Sequence, residues 1–278
     1  MTPAETRFDV AAARKRCLGY RRRILDISQQ VTALHVAPAF SCLEMVDVIY
    51  HGLMRRDPSR GNPGFLDGFL MSKGHGCLSQ YVILEDLGVL AKTELDHYCT
   101  TLGQLGAHPD YGVPGIEAST GSLGHGMGIA TGMAYADRVK GDERRLYVVL
   151  SDGEMQEGST WEAIMMARNL GVENLIAFLD LNDFTGLDRI SEKHPAFYPV
   201  VDKVRAFGWE VAAVNGHDAA AVFEAVTGRR GKQPLMVVGK TVKGRGVSFM
   251  EHVPIWHYRS PNKEEYAKAI AELAEVTS

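Results

Sequence analysis

The sequence is poor in cysteine, with four among 278 residues and no two of them in CxxC spacing. Scattered cysteines of this kind do not indicate a disulfide framework or a paired redox motif. We therefore expect a reduced, intracellular protein of the cytoplasm. The four residues are Cys17, Cys42, Cys77 and Cys99.

The sequence also lacks an excess of charge of either sign and a long apolar run. Its 30 Lys and Arg residues nearly balance 34 Asp and Glu residues, which gives a formal net charge of -4. This balance leaves no electrostatic footprint for a nucleic acid or an anionic membrane. No window approaches the ~20 apolar residues of a membrane-spanning helix, and the N-terminus has no apolar signal-peptide core. We expect neither nucleic acid nor membrane as a partner.

Helix and strand patterns alternate along the chain. Helical spacing predicts helices from about Val10 to Val31 and from Ser41 to Leu53, and the final helix at about 262–275. The apolar segments "RRLYVVLSD", "ENLIAFLDLND", "WEVAAVNG" and "PLMVVGKTV" are typical of buried strands. The alternation predicts an α/β fold with a parallel sheet and helices on both faces. We find no linker, and we expect one domain over residues 1–278.

The segment "VVLSDGEMQEGSTWEA" places a carboxylate at a strand end. In an open parallel sheet, ligands bind beyond the carboxyl ends of the strands, where the next helix begins. Asp152 fits such a place if a divalent cation lies between it and a phosphate group. Asn182 ends the next strand and adds a second oxygen, although "DG" alone is more often only a turn. Ser159 and Glu162 have capping-box spacing for the following helix.

Five ordered segments resemble the transketolase family across nearly the whole chain. Besides "SDGEMQEGSTWEA" with its later asparagine, they are "FLMSKGHGCLSQYVILEDLG", "LGAHPDYGVPGIEASTGSLGHGMGIATGMA", "FGWEVAAVNGHD" and "KTVKGRGVSFME" with "WH". The resemblance implies a thiamine-diphosphate-binding fold, with thiamine diphosphate and Mg²⁺ or Ca²⁺ as cofactors. It implies that Asp152, Asn182 and the main-chain carbonyl of Phe184 hold the cation.

The resemblance also assigns cofactor and substrate residues. The implied cofactor-binding residues are His75, Gly121, Ser122, Leu123, Asp152, Gly153, Glu154, Asn182, Phe184, Lys243 and His257. The implied catalytic residues are His35, His75, His108 and His257. A transketolase moves a two-carbon ketol unit from a ketose to an aldose, and histidines suit the proton transfers on sugar hydroxyls near neutral pH. Glu157 matches a glutamate of the acid network between subunits.

The chain ends where a full-length transketolase continues. We expect the pyrimidine-binding and third domains on a partner chain, the C-terminal subunit of a split transketolase, and a heterotetramer as the assembly. The substrates implied are sugars or sugar phosphates. Pro38, His125 and Tyr258 depart from the family pattern near the substrate channel, so the sugars are expected to differ from the usual pentose phosphates.

Two alternatives remain open. The chain could be a subunit of another thiamine-diphosphate lyase or acyl-transferring enzyme in a specialised biosynthetic pathway. It could also be a non-catalytic binding protein with the same fold. The presence of Asp152, Gly153 and Asn182 argues against the second alternative, because a chain freed from cofactor binding has no need of those ligands.

Overall fold

A five-stranded parallel sheet forms the centre of the structure, a computed structural model that describes residues 8–31, 34–61 and 64–275. The strand order across the sheet is β1-β2-β3-β7-β6. These strands are β1 (Gly68–Met71), β2 (Leu146–Ser151), β3 (Leu175–Leu181), β6 (Glu210–Asn215) and β7 (Leu235–Lys240). A two-residue hairpin, β4 (Phe184–Thr185) and β5 (Asp188–Arg189), follows β3.

Helices cover both faces of the sheet. They are α1 (Val10–Ser28), α2 (Val36–Val48), α3 (Cys77–Asp86), α4 (Lys92–Asp96), α5 (Gly126–Lys140), α6 (Gly158–Leu170), α7 (Ile190–Lys193), α8 (Val200–Ala206), α9 (Ala219–Thr227) and α10 (Lys263–Glu275). A π-helical turn, Ile49–Leu53, continues α2. Within the described ranges, no helix is both long and apolar enough to span a bilayer.

Two hydrophobic cores lie on opposite faces of the sheet. Side chains of a strand alternate between its faces, and those of β2 do so here. Tyr147 and Val149 pack in the core that α1, α2, α3 and α9 cover, whereas Val148 and Leu150 pack in the core under α5, α6 and α8. The predicted α/β class, with a parallel sheet between two helical layers, is confirmed.

Two of the predicted helix starts are wrong. Helix α2 begins at Val36 rather than Ser41, because a proline in the first turn, here Pro38, is compatible with a helix. Helix α6 begins at Gly158, and the Ser159 hydroxyl donates to the carbonyl oxygen of Gly124 instead of forming a capping box. The predicted stop at Gly171 is confirmed, since this glycine ends α6 in the left-handed conformation at φ 61°.

Register brings several strand ends to one edge. Met71 of β1 pairs with Val149, Ser151 of β2 pairs with Asp180, and Leu181 of β3 pairs with Lys240. The residues that follow β1, β2, β3 and β7 therefore meet at the carboxyl edge of the sheet. This is the edge at which parallel sheets bind ligands.

Two glycines of α5 test how closely this helix packs. A Cβ on Gly126 would lie 2.6 Å from Ser72 Cβ and 2.8 Å from Ser72 Cα, whereas a Cβ on Gly132 would meet nothing within 4 Å. We expect Gly126→Ala to lower the free energy of unfolding by about 1–3 kcal/mol through overpacking. Gly132→Ala, the matched control, should raise it by up to about 1 kcal/mol. Urea denaturation of the chain measures both, and equal effects would contradict the close packing at Gly126.

Candidate active site

A buried ion pair lies beneath the carboxyl edge of the sheet. Lys73 follows β1, and its ammonium group donates to the Asp180 carboxylate of β3 and, at 3.1 Å, to the carbonyl oxygen of Pro38. Both side chains are 0% exposed. Asp180 also accepts from the hydroxyls of Ser41, at 2.7 Å, and Thr241. The pair therefore joins α2, β1, β3 and the end of β7.

The same carboxylate orients Asn182. Asp180 Oδ2 accepts from Asn182 Nδ2 at 3.1 Å, and Asn182 Oδ1 accepts from the Phe184 amide at 3.1 Å. Burial alone would raise the pKa of Asp180, but Lys73 holds it below its ordinary value. Asp180 is therefore charged near neutral pH, and the Asn182 amide is held in one orientation.

Asp152 lies at the end of β2, fully buried. Its Oδ1 accepts from the Gly153 amide at 2.9 Å, and its Oδ2 accepts from the amides of Asn182, at 2.9 Å, and Asp183, at 2.5 Å. Burial, together with the charge of Asp180, raises the pKa of Asp152 to about 7. A desolvated carboxylate of this kind gains stability from a nearby positive charge.

The three predicted cation ligands lie close together. The Asp152 carboxylate contacts the Asn182 main chain, and a Cβ built on Gly153 would lie 3.5 Å from the carbonyl oxygen of Phe184. Carboxylate, amide and main-chain oxygens are the donors that Mg²⁺ and Ca²⁺ prefer. The donor set and the raised pKa of Asp152 therefore fit a divalent cation at this edge.

Glu154 lies below the glycine-rich loop. Its Oε1 accepts from the Ser72 hydroxyl and, at 3.1 Å, from the Gly124 amide, and burial raises its pKa to about 7. Within the described chain, Glu154 Oε2 is buried without a hydrogen-bond partner. Glu154 thus ties β2 to the loop that carries Gly121, Ser122 and Leu123.

The "SKGHG" and "TGSLG" segments touch at two glycines. A Cβ on Gly74 would lie 2.6 Å from the Gly121 Cα, and Gly121 has φ 133°, a region that favours glycine. This approach places the turn of Gly121 and Leu123 beside His75. Ser122 is exposed in the same turn.

The four predicted catalytic histidines form one group around His35. The ring centroid of His35 lies 5.9 Å from those of His75 and His108 and 5.4 Å from that of His257. Burial lowers the pKa of His35 to about 4, lowers that of His257 to about 3, and lowers that of His75 well below its ordinary value. These three rings are therefore uncharged near neutral pH.

Lys243 connects the histidines to the hairpin after β3. Its Nζ lies 2.6 Å from His257 Nδ1, donates to the Gly186 carbonyl at 3.1 Å and lies 5.1 Å from the centroid of the Phe184 ring. Burial, with the charge of Lys73, lowers the pKa of Lys243 to about 7. Lys243 is therefore the cation nearest to both the histidine group and the Asp152 edge for which the structure gives these contacts.

The remaining predicted residues lie at the rim. Glu157 is exposed at the start of α6 and outside the histidine group. Tyr258 is 54% exposed, and its ring packs 5.6 Å from His35 and 4.3 Å from His257. His125 is exposed at the start of α5, with Nδ1 3.1 Å from the Ser122 carbonyl oxygen.

Sequence reasoning missed the Lys73–Asp180 pair. Both residues lie inside or directly after apolar strand segments, where a charged side chain is almost never fully buried unless it is paired. That placement was the available signal. The partner of each residue, 107 positions away, could be found only from the strand order.

Removal of Lys73 should leave Asp180 buried without its countercharge. We expect Lys73→Met to lower the free energy of unfolding by about 3–5 kcal/mol, as for other broken buried pairs. Adding Asp180→Leu should recover at least half of that loss, because the double variant buries no charge at this place. Urea denaturation measures both variants. A single variant within about 1 kcal/mol of wild type would contradict the assigned pairing.

The comparisons with known proteins agree on one family. A family model described as "Transketolase, thiamine diphosphate binding domain" matches residues 13–269. One of the two chains of an apulose-4-phosphate transketolase from Phocaeicola vulgatus, named as a subunit, is 35% identical over 262 residues, which cover 92% of this chain and 91% of that protein. A 6-deoxy-6-sulfo-D-fructose transketolase subunit of Clostridium sp. is 35% identical over 244 residues, with 86% and 88% covered.

A solved structure gives the same result. Transketolase from Leishmania mexicana superimposes with a TM-score of 0.86 at 27% identity. The match covers 96% of this chain and 42% of that one, so this chain spans about two fifths of the length of that transketolase. The chain therefore belongs to the transketolase family, in which it corresponds to the thiamine-diphosphate-binding domain.

Proposed function

We propose that the chain is the diphosphate-binding subunit of a two-chain transketolase. In this role it moves a two-carbon ketol unit from a ketose or ketose phosphate to an aldose or aldose phosphate. A second chain supplies the pyrimidine-binding domain. The cofactors are thiamine diphosphate and a divalent cation, Mg²⁺ or Ca²⁺.

One observation carries this proposal: uncharged histidines stand next to an oxygen-rich strand edge, with Lys243 between them. Lys243 Nζ contacts His257 Nδ1 at 2.6 Å and lies over the ring of Phe184, whose carbonyl belongs to the oxygen set. Groups that hold an anionic cofactor and groups that exchange protons are thereby adjacent. Ketol transfer requires both.

The oxygen donors have a holding role. Asp152, Asn182 and the Phe184 carbonyl would bind the cation, and Lys243 and His75 would contact the diphosphate. Gly153 and the turn of Gly121 to Leu123 allow the main chain to approach closely. When bound, thiamine diphosphate supplies the carbon centre that carries the two-carbon unit.

The histidines have a proton-transfer role. A protonated Lys243 donates to His257 Nδ1, which leaves the ring proton of His257 on Nε2. His35 Nδ1 is buried and has no hydrogen-bond partner in the part of the chain described, so a substrate hydroxyl would satisfy it. Neutral imidazoles can accept and return hydroxyl protons near neutral pH. We assign this work to His35, His75, His108 and His257.

A partner chain is supported by the relatives and by the surface. The two relatives whose names call them transketolase subunits have almost the same length as this chain. Helices α5 and α6 expose several large apolar side chains, namely Ile129, Tyr135, Val139, Met165 and Met166. Exposed apolar surface of this kind is typical of an association site. We propose that this face, with Glu157 at its edge, contacts another chain in a heterotetramer.

The substrate and compartment are also part of the proposal. The relatives' names point to sugars outside the usual pentose phosphates, and Tyr258 covers one side of the histidine group. We therefore propose a less common ketose, or its phosphate, as the donor. All four cysteines are free, which suits the reducing cytoplasm.

Calorimetric titration tests the proposal. Thiamine diphosphate with Mg²⁺ is titrated into the chain alone and after mixing with the protein encoded beside it. We expect tight binding only in the mixture, because the cofactor site needs both chains, and ketol transfer by the mixture in a panel of ketose donors and aldose acceptors. Folded, associated chains that bind no cofactor would favour a non-catalytic protein. Binding without ketol transfer would favour another thiamine-diphosphate reaction.

The same titration includes a matched pair of acidic variants. Asp152→Ala removes the cation-binding carboxylate and should weaken cofactor binding by at least about 100-fold, since even indirect contacts to a metal are worth about 10–100-fold. Asp137→Asn changes a buried acid of α5 that lies near Arg144, before β2, and should leave affinity unchanged. Equal affinity of Asp152→Ala and wild type would remove Asp152 from the cation site.

His257 should affect turnover more than cofactor affinity. We expect His257→Ala to lower kcat of the two-chain enzyme by about 10²–10⁴-fold, the usual range for a general acid-base group. The dissociation constant of thiamine diphosphate should change much less. His194→Ala, at an exposed histidine after α7, is the control for losing an imidazole. Wild-type turnover in His257→Ala would exclude a mechanistic role for this ring.

A further inference from the structure

Lys243 lies on a short turn that three distant side chains hold. The turn, residues 242–245, follows β7 and contains Gly244 at φ 84°. A Cβ on Gly244 would lie 2.5 Å from the Met250 carbonyl oxygen, so the turn is packed tightly on its outer side. Its inner side contacts Arg21 of α1 and His217, which stands just before α9.

His217 holds the first residue of the turn. The Val242 amide donates to His217 Nε2 at 2.8 Å, so the ring proton of His217 lies on Nδ1. Nδ1 is 2.9 Å from Glu44 Oε2 and donates to it. The hydrogen bonds therefore run in one direction, from the Val242 amide through the imidazole to the carboxylate of α2.

Arg21 holds the last residue of the turn. Its Nη2 lies 2.6 Å from Glu44 Oε1, and its Nε donates to the Arg245 carbonyl at 2.8 Å. One carboxylate, Glu44, is thus bonded to both groups that grip the turn. We call Arg21, Glu44 and His217 the turn clamp.

The turn clamp is buried. The side chains of Arg21, Glu44 and His217 are 5%, 13% and 9% exposed. Burial alone would raise the pKa of Glu44, but Arg21 and His217 lower it to about 2. Glu44 is therefore charged near neutral pH, and the clamp keeps its full charge-assisted bonds.

We propose that the turn clamp positions Lys243 for the cofactor. His217, Glu44 and Arg21 are positioning residues that act through the turn, two of them on its end residues and Glu44 on both. This inference rests on the proposed function, since it gives the turn a ligand to be positioned for. A clamp that only stabilised the fold would lower thermal stability without moving cofactor affinity.

Variants at His217 separate these roles. His217→Ala removes the acceptor of the Val242 amide, whereas His217→Gln places a side-chain oxygen near the former Nε2. Val226→Ala is the stability control, because Val226 is a buried residue of α9 in the core beside the clamp. Two readouts are made on the two-chain complex: the dissociation constant of thiamine diphosphate with Mg²⁺, and hydrogen–deuterium exchange of the segment 241–246.

We expect His217→Ala to raise the dissociation constant by about tenfold, close to the loss of one hydrogen bond. Exchange in 241–246 should accelerate while the strands keep wild-type exchange. His217→Gln should restore both readouts at least partly, and Val226→Ala should change neither. Unchanged affinity and exchange in His217→Ala, or equal changes in Val226→Ala, would overturn the proposal.

Failure of the proposed function gives a different result. A wild-type complex that binds thiamine diphosphate but transfers no ketol unit would refute the reaction and leave the affinity test of the clamp intact. A wild-type complex that binds no cofactor would refute both the cofactor role and the clamp's purpose, even if exchange in 241–246 responded to His217→Ala.

Discussion

The site depends on the buried pair of Lys73 and Asp180. Two charges without water are stable only when they meet each other and further hydrogen bonds, and here Ser41, Thr241 and Asn182 supply those bonds. The pair also specifies the register of β3. A one-residue slip would turn Asp180 to the other face of the sheet, into the apolar core under α5 and α6. Any register but the observed one would bury an unpaired charge.

The low dielectric around this pair also determines the state of the groups above it. The same burial that strengthens the ion pair keeps His35, His75 and His257 uncharged and brings Lys243 and Asp152 to pKa values of about 7. Side chains of ordinary type thus become groups that can gain or lose a proton near neutral pH. Chemistry and stability at this edge share one cause, which is the exclusion of water.

Much of the fold was predictable from the sequence, because apolar strands and alternating helices report their own burial. The proximity of Asp152 and Asn182 also followed, since both end neighbouring parallel strands. The histidine group was predictable only through family resemblance, because 222 positions separate His35 from His257 and no local pattern joins them. The turn clamp and the Lys73 pair were not predictable, because pairings between distant elements depend on how the sheet is ordered. The capping box failed because the Ser159 hydroxyl found a carbonyl on another segment.

The apolar face of α5 and α6 affects how the chain is made in a cell. A free copy keeps Val139 at 68% exposure and both Met165 and Met166 near half exposure, so each copy without a partner surface adds to the load on chaperones and proteases. Surplus chains would meet one another through this face before they met anything else. The yield of soluble protein should therefore follow the ratio at which the chain and its partner are synthesised, rather than the intrinsic stability of either one.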